Sequence, residues 1–197
     1  MIHGKKRLVL SLFIFISACS EALASTPTQQ IQETIQRVVN IVNEATERGE
    51  AEKRELLRQA LLPRFDFVEM AKRALGKHWN SVPGRQQEFV AAFAEFLGNA
   101  YVGKIVSYKD EKIIFVRESM DKENAQVDTQ VIPSKGEPFP VNYRLHQVQG
   151  EWKIYDVVVE QVSLVNNYRS QFNRVLTSGS FDDLMKLLKE KGSQQGI

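Results

Sequence analysis

The hydrophobic period of this chain changes once and then changes back. From residue 28 to about 107 apolar side chains recur every three or four positions, from 113 to 160 they alternate with polar ones, and from about 163 to 191 the helical spacing returns. A period of 3.6 gathers apolar groups on one stripe of a helix, whereas a period of 2 gathers them on one face of a strand. The order of elements follows: helices, strands, helices. Blocks of like elements, without βαβ alternation, predict an α+β domain.

In the first block Ile31, Ile35, Val38, Val39 and Val42 stripe a helix over residues 28 to about 48. A second helix is expected over 51–62, ended by Pro63, and a third over 67–75, ended by Gly76. The longest should begin near Ser81-Val82-Pro83, with Pro83 in the first turn where its missing N–H costs nothing, and run to about 107. Its stripe is Phe89, Phe93, Phe96, Leu97, Ala100, Tyr101, Lys104 and Ile105. Gly within a helix costs about 1 kcal/mol against Ala, so Gly98 and Gly103, with Ala92, imply close approach of a neighbour or room beside the helix.

Four strands are expected over 113–119, 125–132, 141–148 and 152–160, all rich in β-branched and aromatic residues. Short turns at 121–124 and at Gln149-Gly150 make them an antiparallel meander. Strict alternation puts Val141, Tyr143 and Leu145 opposite Asn142, Arg144 and His146 on the third strand. On the fourth it sets Tyr155, Val157 and Val159 against Trp152, Ile154, Asp156 and Val158. A helix capped by Ser163 carries Val165, Tyr168, Phe172, Val175 and Leu176, and a last one over 181–191, capped by Ser180, adds Leu184, Leu187 and Leu188. The sheet is expected to be covered on one face by the N- and C-terminal helices.

The first 24 residues read as an export signal: Lys5, Lys6 and Arg7, an apolar run from 8 to 18, then Ala22-Leu23-Ala24. Cleavage after Ala24 leaves a single domain, 25–197, with 23 basic and 23 acidic residues. That balance gives no support for nucleic-acid binding. The sole cysteine, Cys19, is removed with the leader, so the mature chain has no disulfide or thiolate site. Ile16-Ser17-Ala18-Cys19 also resembles a lipoprotein box, the alternative in which Cys19 becomes a lipidated first residue.

No H-E-x-x-H, phosphate loop, G-x-G-x-x-G or G-x-S-x-G occurs, and His78 and His146 read as surface or capping residues. No metal or cofactor is expected. Asp156 and Arg169 lie among apolar residues. An unpaired buried carboxylate is unfavourable by several kcal/mol, so Asp156 must be paired, hydrogen-bonded or wet. Two readings stand: a structural pair or cap pinning strand to helix, or Arg169 meeting an anionic group such as a phosphate.

Two stretches, "RFDFVEMAKRALGKHWNSVPGRQQEFVAAFAEFLGNAYVGKI" (64–105) and "WKIYDVVVEQVSLVNNYRSQF" (152–172), resemble the MlaC family of exported phospholipid-binding proteins, also called toluene-tolerance auxiliary proteins. The resemblance runs from about 28 to 191. It departs at Gln161, where Gly is expected, and at Pro83-Gly84 in place of an Ala-rich helix start. It implies a carrier of the Gram-negative periplasm with phospholipid as cargo, and not an enzyme. The implied partners are an inner-membrane ABC transporter complex with a lipid-binding periplasmic component and an outer-membrane lipoprotein-porin complex. The implied apolar pocket, between sheet and helices, is assigned to Phe67, Met70, Phe93, Phe96, Leu97, Tyr101, Ile105, Phe115, Tyr143, Leu145, Val157, Val159, Val165, Tyr168, Arg169 and Phe172. Rival readings are a carrier of a hopanoid or other polycyclic lipid, a periplasmic adaptor with a solid core, and a pocket enzyme using Asp156, Tyr143 or His146.

Overall fold

Apolar periodicity becomes six helices and one antiparallel sheet in the computed structural model, which describes residues 25–44, 49–106 and 111–194. The expected leader, with Cys19 and Ala24, lies outside the described residues. Helices α1 (Pro27–Glu44), α2 (Glu50–Leu61), α3 (Phe67–Leu75) and α4 (Gln86–Val106) precede strands β1 (Lys112–Asp121), β2 (Asn124–Ile132), β3 (Phe139–Val148), β4 (Glu151–Val159) and β5 (Val162–Ser163). Helices α5 (Leu164–Ser178) and α6 (Phe181–Gln194) follow. The strands pair in chain order, so the sheet is a meander of five strands rather than the four expected. The fifth, two residues long, pairs Val162 with Val159 and Ser163 with Val158.

That short hairpin explains the departure at Gln161. A two-residue loop matching the twist of its strands needs positive φ at both central residues, and Glu160 (48°) and Gln161 (67°) adopt it without a glycine. The Gln149-Gly150 turn does the same at 53° and 84°. Pro83-Gly84 has the opposite outcome to the one expected. Instead of opening α4 they form a turn, closed by the Arg85 N–H donating to the Val82 carbonyl at 3.0 Å, and the helix starts three residues after Pro83. Pro before Gly suits the two central positions of such a turn.

Three helix starts are capped by short polar side chains. Asp66 accepts from the Glu69 N–H at 2.9 Å and opens α3. Ser163 accepts from the Asn166 N–H at 3.1 Å and opens α5. Ser180 and Asp183 exchange bonds at the start of α6, the reciprocal arrangement of a capping box. The Ser180 backbone N–H and then its hydroxyl hold the Asp183 carboxyl below the usual carboxylate range.

A bulge in β4 overturns the expected division of its faces. Tyr143 pairs with Val157 and Arg144 with Asp156, but Leu145 pairs with Ile154, leaving Tyr155 as the extra residue. Residues directly paired across a sheet share a face. Trp152 and Ile154 therefore lie on the same face as Val157 and Val159, and Asp156 and Val158 lie on the other. The first face carries a buried cluster of Ile31, Ala125, Val127, Leu145, Trp152 and Ile154, with α1 laid over β1 and β2. A second cluster, between α3, α4, α5 and α6, is built on Met70, Phe89, Phe93, Phe96, Phe172 and Leu184. Phe65 packs against both.

Candidate functional site

The sixteen candidate residues divide by burial. Met70, Phe93, Phe96, Leu97, Val165, Tyr168 and Phe172 are buried in the helical cluster, with Phe67 and Tyr101 packed half-buried against it. Their rings fill the space between helices: Phe93 stands edge-on to Tyr168 and to Phe172 at 5.5 Å, and Phe96 edge-on to Tyr168 at 5.4 Å. Such contacts add to the burial of the rings themselves. Burial, and then a 3.4 Å hydrogen bond with the Tyr101 hydroxyl, push the Tyr168 phenol above its ordinary range.

On the sheet, Leu145 is fully buried, while Phe115, Tyr143 and Val157 are only half-buried against the sheet cluster. Ile105, at the end of α4, is also half-buried, and Val159 is 39% exposed. Tyr143 and Val157 are direct neighbours in register, whereas Phe115 and Val159 stand at opposite ends of one row. Phe115 pairs with Thr129, Thr129 with Val141 and Val141 with Val159; beside that row, Val127 pairs with Tyr143 and Tyr143 with Val157. Thr129, Val141 and Val127 in the middle of this face are buried, so the apolar surface that the chain covers incompletely is at Phe115 and Val159, the two ends of one row, and at Tyr143 and Val157. Gly103, on the C-terminal half of α4, has nothing within 4 Å of where a Cβ would stand. Gly98 is different: the Arg58 guanidinium lies against it, 2.9 Å from a would-be Cβ, and donates to Asn99 Oδ1 at 2.7 Å.

Asp156 resolves as a structural corner. It is 3% exposed. Oδ2 accepts from Ser163 Oγ at 2.7 Å and from Arg144 Nη1 at 3.1 Å, and Oδ1 accepts from the Val165 N–H at 3.1 Å. One carboxylate thus ties β3, β4 and β5 to the first turn of α5, where an anion also meets the helix dipole. Arg169 is not its partner. Among the described residues no carboxylate lies within ion-pair distance of Arg169. Its guanidinium rests on Gly76, where a Cβ would come within 2.7 Å of Nε and where φ is +55°. Only glycine meets both conditions easily.

Arg169 separates two polar clefts. One, of about 200 Å3, is bordered by Arg73, Arg144, Tyr155, Asp156, Val165, Asn166 and Arg169. The other, of about 300 Å3, is bordered by Leu75, Lys77, Arg169, Ser170 and Asn173. Arg73 lies over the Tyr155 ring at 4.3 Å and bonds Glu69 at 2.7 Å.

The residues of the pocket-enzyme reading do not converge. Tyr143 is on the apolar face, whereas His146 and Asp156 are on the polar one. His146 Nε2 meets Asp66 Oδ2 at 2.9 Å and so braces the cap of α3, and His78 Nε2 meets Asn173 Oδ1 at 3.1 Å.

Sequence reasoning missed Arg73, Arg144, Tyr155 and Asn166. The Arg144 to Asp156 pairing was accessible once the register of β3 and β4 was counted. The convergence of α3 on the same cleft had no local signal.

Comparison with known proteins agrees with this architecture. Residues 32–190 match the family described as "MlaC protein". The intermembrane phospholipid transport system binding protein MlaC of Haemophilus influenzae is 25% identical over 148 residues, 72% of this chain and 69% of that protein. Toluene tolerance protein ttg2D of Pseudomonas putida is 30% identical over 88 residues, 44% of this chain and 39% of that protein. The solved structure of a phospholipid-binding protein from Ralstonia solanacearum in complex with a phospholipid superposes with a TM-score of 0.77. It is 23% identical and covers 88% of this chain and 100% of that chain, a likeness of fold.

Proposed function

This chain belongs to the MlaC family, and on that premise we propose that it is a non-catalytic carrier that holds phospholipid in the periplasm. It is exported by its leader, cut after Ala24, and exchanges cargo with an inner-membrane ABC transporter complex and an outer-membrane lipoprotein-porin complex. The observation that carries the reading is the incompletely covered apolar surface at Phe115, Tyr143, Val157 and Val159, on the face of the sheet that also bears the buried cluster of Val127, Leu145 and Ile154. No helix among the described residues is long and apolar enough to cross a membrane.

The physics requires enclosure. Two acyl chains carry roughly 30 methylenes at about 0.8 kcal/mol each, so crossing water unprotected costs on the order of 20 kcal/mol. A pocket that holds them needs a volume near the upper end of the ~300–1,000 Å3 range for ligand sites, more than either polar cleft offers. The tails therefore enter between the two apolar clusters, parting them along the sheet row. The closed aromatic packing of Phe93, Phe96, Tyr168 and Phe172 forms the back wall, with Phe67, Met70, Leu97, Tyr101 and Ile105 beside it. A bilayer gives the tails nearly the same environment, so direction of transfer is set by the partners.

Native mass spectrometry of protein purified from a bacterial host tests this. The expected result is a bound phospholipid, with uptake from vesicles after delipidation. Bare protein that takes up nothing would overturn the proposal, and a polycyclic lipid in its place would select the hopanoid alternative.

A further inference from the structure

We propose that the cleft between α3, β3 and α5 is a second binding site, for a phosphate group, built by Arg73, Arg144, Arg169 and Asn166. The three guanidinium groups come from three different elements yet border one space of about 200 Å3. Their charges are incompletely cancelled. Arg73 has Glu69 at 2.7 Å and Arg144 has Asp156 at 3.1 Å, while Arg169 has no carboxylate within reach among the described residues. Ser163, Val165 and Arg144 already take three of the roughly four acceptor directions of Asp156, which leaves little of its charge for a further cation. The cleft keeps a net positive charge.

The groups are also held in place. Arg169 is laid on Gly76, and Arg73 is stacked on Tyr155 at 4.3 Å. Guanidinium forks positioned beforehand bind oxyanions with little further ordering. Donors arriving from three elements suit a tetrahedral anion, whose oxygens point several ways, better than a planar carboxylate. Asn166, in the first turn of α5, adds a side-chain amide where the helix dipole also favours negative charge. Arg144 and Asp156 project from the face of the sheet opposite Tyr143 and Val157, so the site is separate from the apolar row and its argument stands without the cargo reading.

The probe is inorganic phosphate, titrated into the mature protein against sodium chloride at matched ionic strength and followed by calorimetry. Lipid-free and lipid-loaded protein are both measured. Saturable binding is expected, weakened about tenfold or more in Arg169→Gln, as loss of charged hydrogen bonds worth at least 1.5 kcal/mol implies. Arg117→Gln, which removes a distant cross-strand partner of Asp128, should bind as the parent does. Arg73→Gln, on the exposed side of α3, repeats the test if Arg169→Gln melts early. Equal binding by lipid-free and lipid-loaded protein assigns the site to free phosphate; binding only by the lipid-free form, regained on delipidation, assigns it to the cargo headgroup. Absence of saturable binding in both forms, or undiminished binding in both variants, overturns the proposal. Loss of phosphate binding leaves lipid uptake measurable, so the two readings fail separately.

Discussion

Replacing Asp156 by Asn removes a charge at the point where β4 turns into α5. An aspartate accepts at both oxygens, and here three donors use them. Asparagine keeps one acceptor. If its nitrogen takes the place of Oδ1, it faces the Val165 N–H; if it replaces Oδ2, it faces Arg144 and loses the Ser163 proton. Each orientation sets a donor against a donor in a residue that is 3% exposed. A hydrogen bond to a charged group is worth about 1.5–3 kcal/mol, and an unsatisfied buried group costs about 1–3 kcal/mol. The Arg144 side chain is 40% exposed, so water replaces much of its share. The expected loss is about 2–4 kcal/mol, a large fraction of a typical 5–15 kcal/mol. Urea unfolding followed by fluorescence of the buried Trp152 measures it. Arg144→Gln leaves the Ser163 and Val165 bonds intact and should cost only about 1 kcal/mol. Asp156→Asn within 0.5 kcal/mol of the parent, or Arg144→Gln costing as much as Asp156→Asn, would refute the account of the corner.

Gln161→Gly should stabilise the protein by up to about 1 kcal/mol, because relief of roughly 1–2 kcal/mol of positive-φ strain outweighs the ~0.4–1 kcal/mol that glycine adds to the entropy cost of folding; a lower urea midpoint would contradict the hairpin geometry. Tyr168 binds its proton more tightly folded than unfolded, so it contributes stability below about pH 10 that is lost as pH rises further. Tyr168→Phe should therefore gain on the parent above pH 10, seen in paired alkaline melts. Val157→Arg puts a charge on the half-buried sheet row and should sharply reduce phospholipid recovered in native mass spectra. By contrast Phe89→Ala, in the helical core and outside the proposed pocket, should cost about 3–5 kcal/mol in unfolding free energy while the folded fraction still carries lipid.

Much of the architecture was legible because its signals are local. Caps at Ser163 and Ser180 are choices of one side chain against its own next turn, and the stripe of Phe89, Phe93 and Phe96 is read from spacing alone. The α4 start was misread because Pro is acceptable both in a first helical turn and in a tight turn, and it was the following Gly84 that favoured the latter. The fifth strand escaped notice because two residues carry no period. Asp156 was recognisable as a residue needing partners, but which partners it has depends on β3 lying alongside β4. Half of the candidate residues, Phe93 and Leu145 among them, prove to be buried, since a stripe that meets other side chains and one that borders a space have the same spacing.

The order helices, meander, helices, the lone cysteine at position 19 and the lack of a catalytic motif were properties of the amino acids in line, because each depends on residue type and near-neighbour spacing. Tertiary structure decided which face each side chain joined. One extra residue at Tyr155 shifts the alternation of β4, placing Ile154 beside Val157 and sending Asp156 to meet α5. The folding of α3 and α5 onto that polar face then gathers Arg73, Arg144 and Arg169, residues up to 96 positions apart, around one cleft. Charges so distant along the chain become neighbours only through packing, and packing is settled by all the elements together.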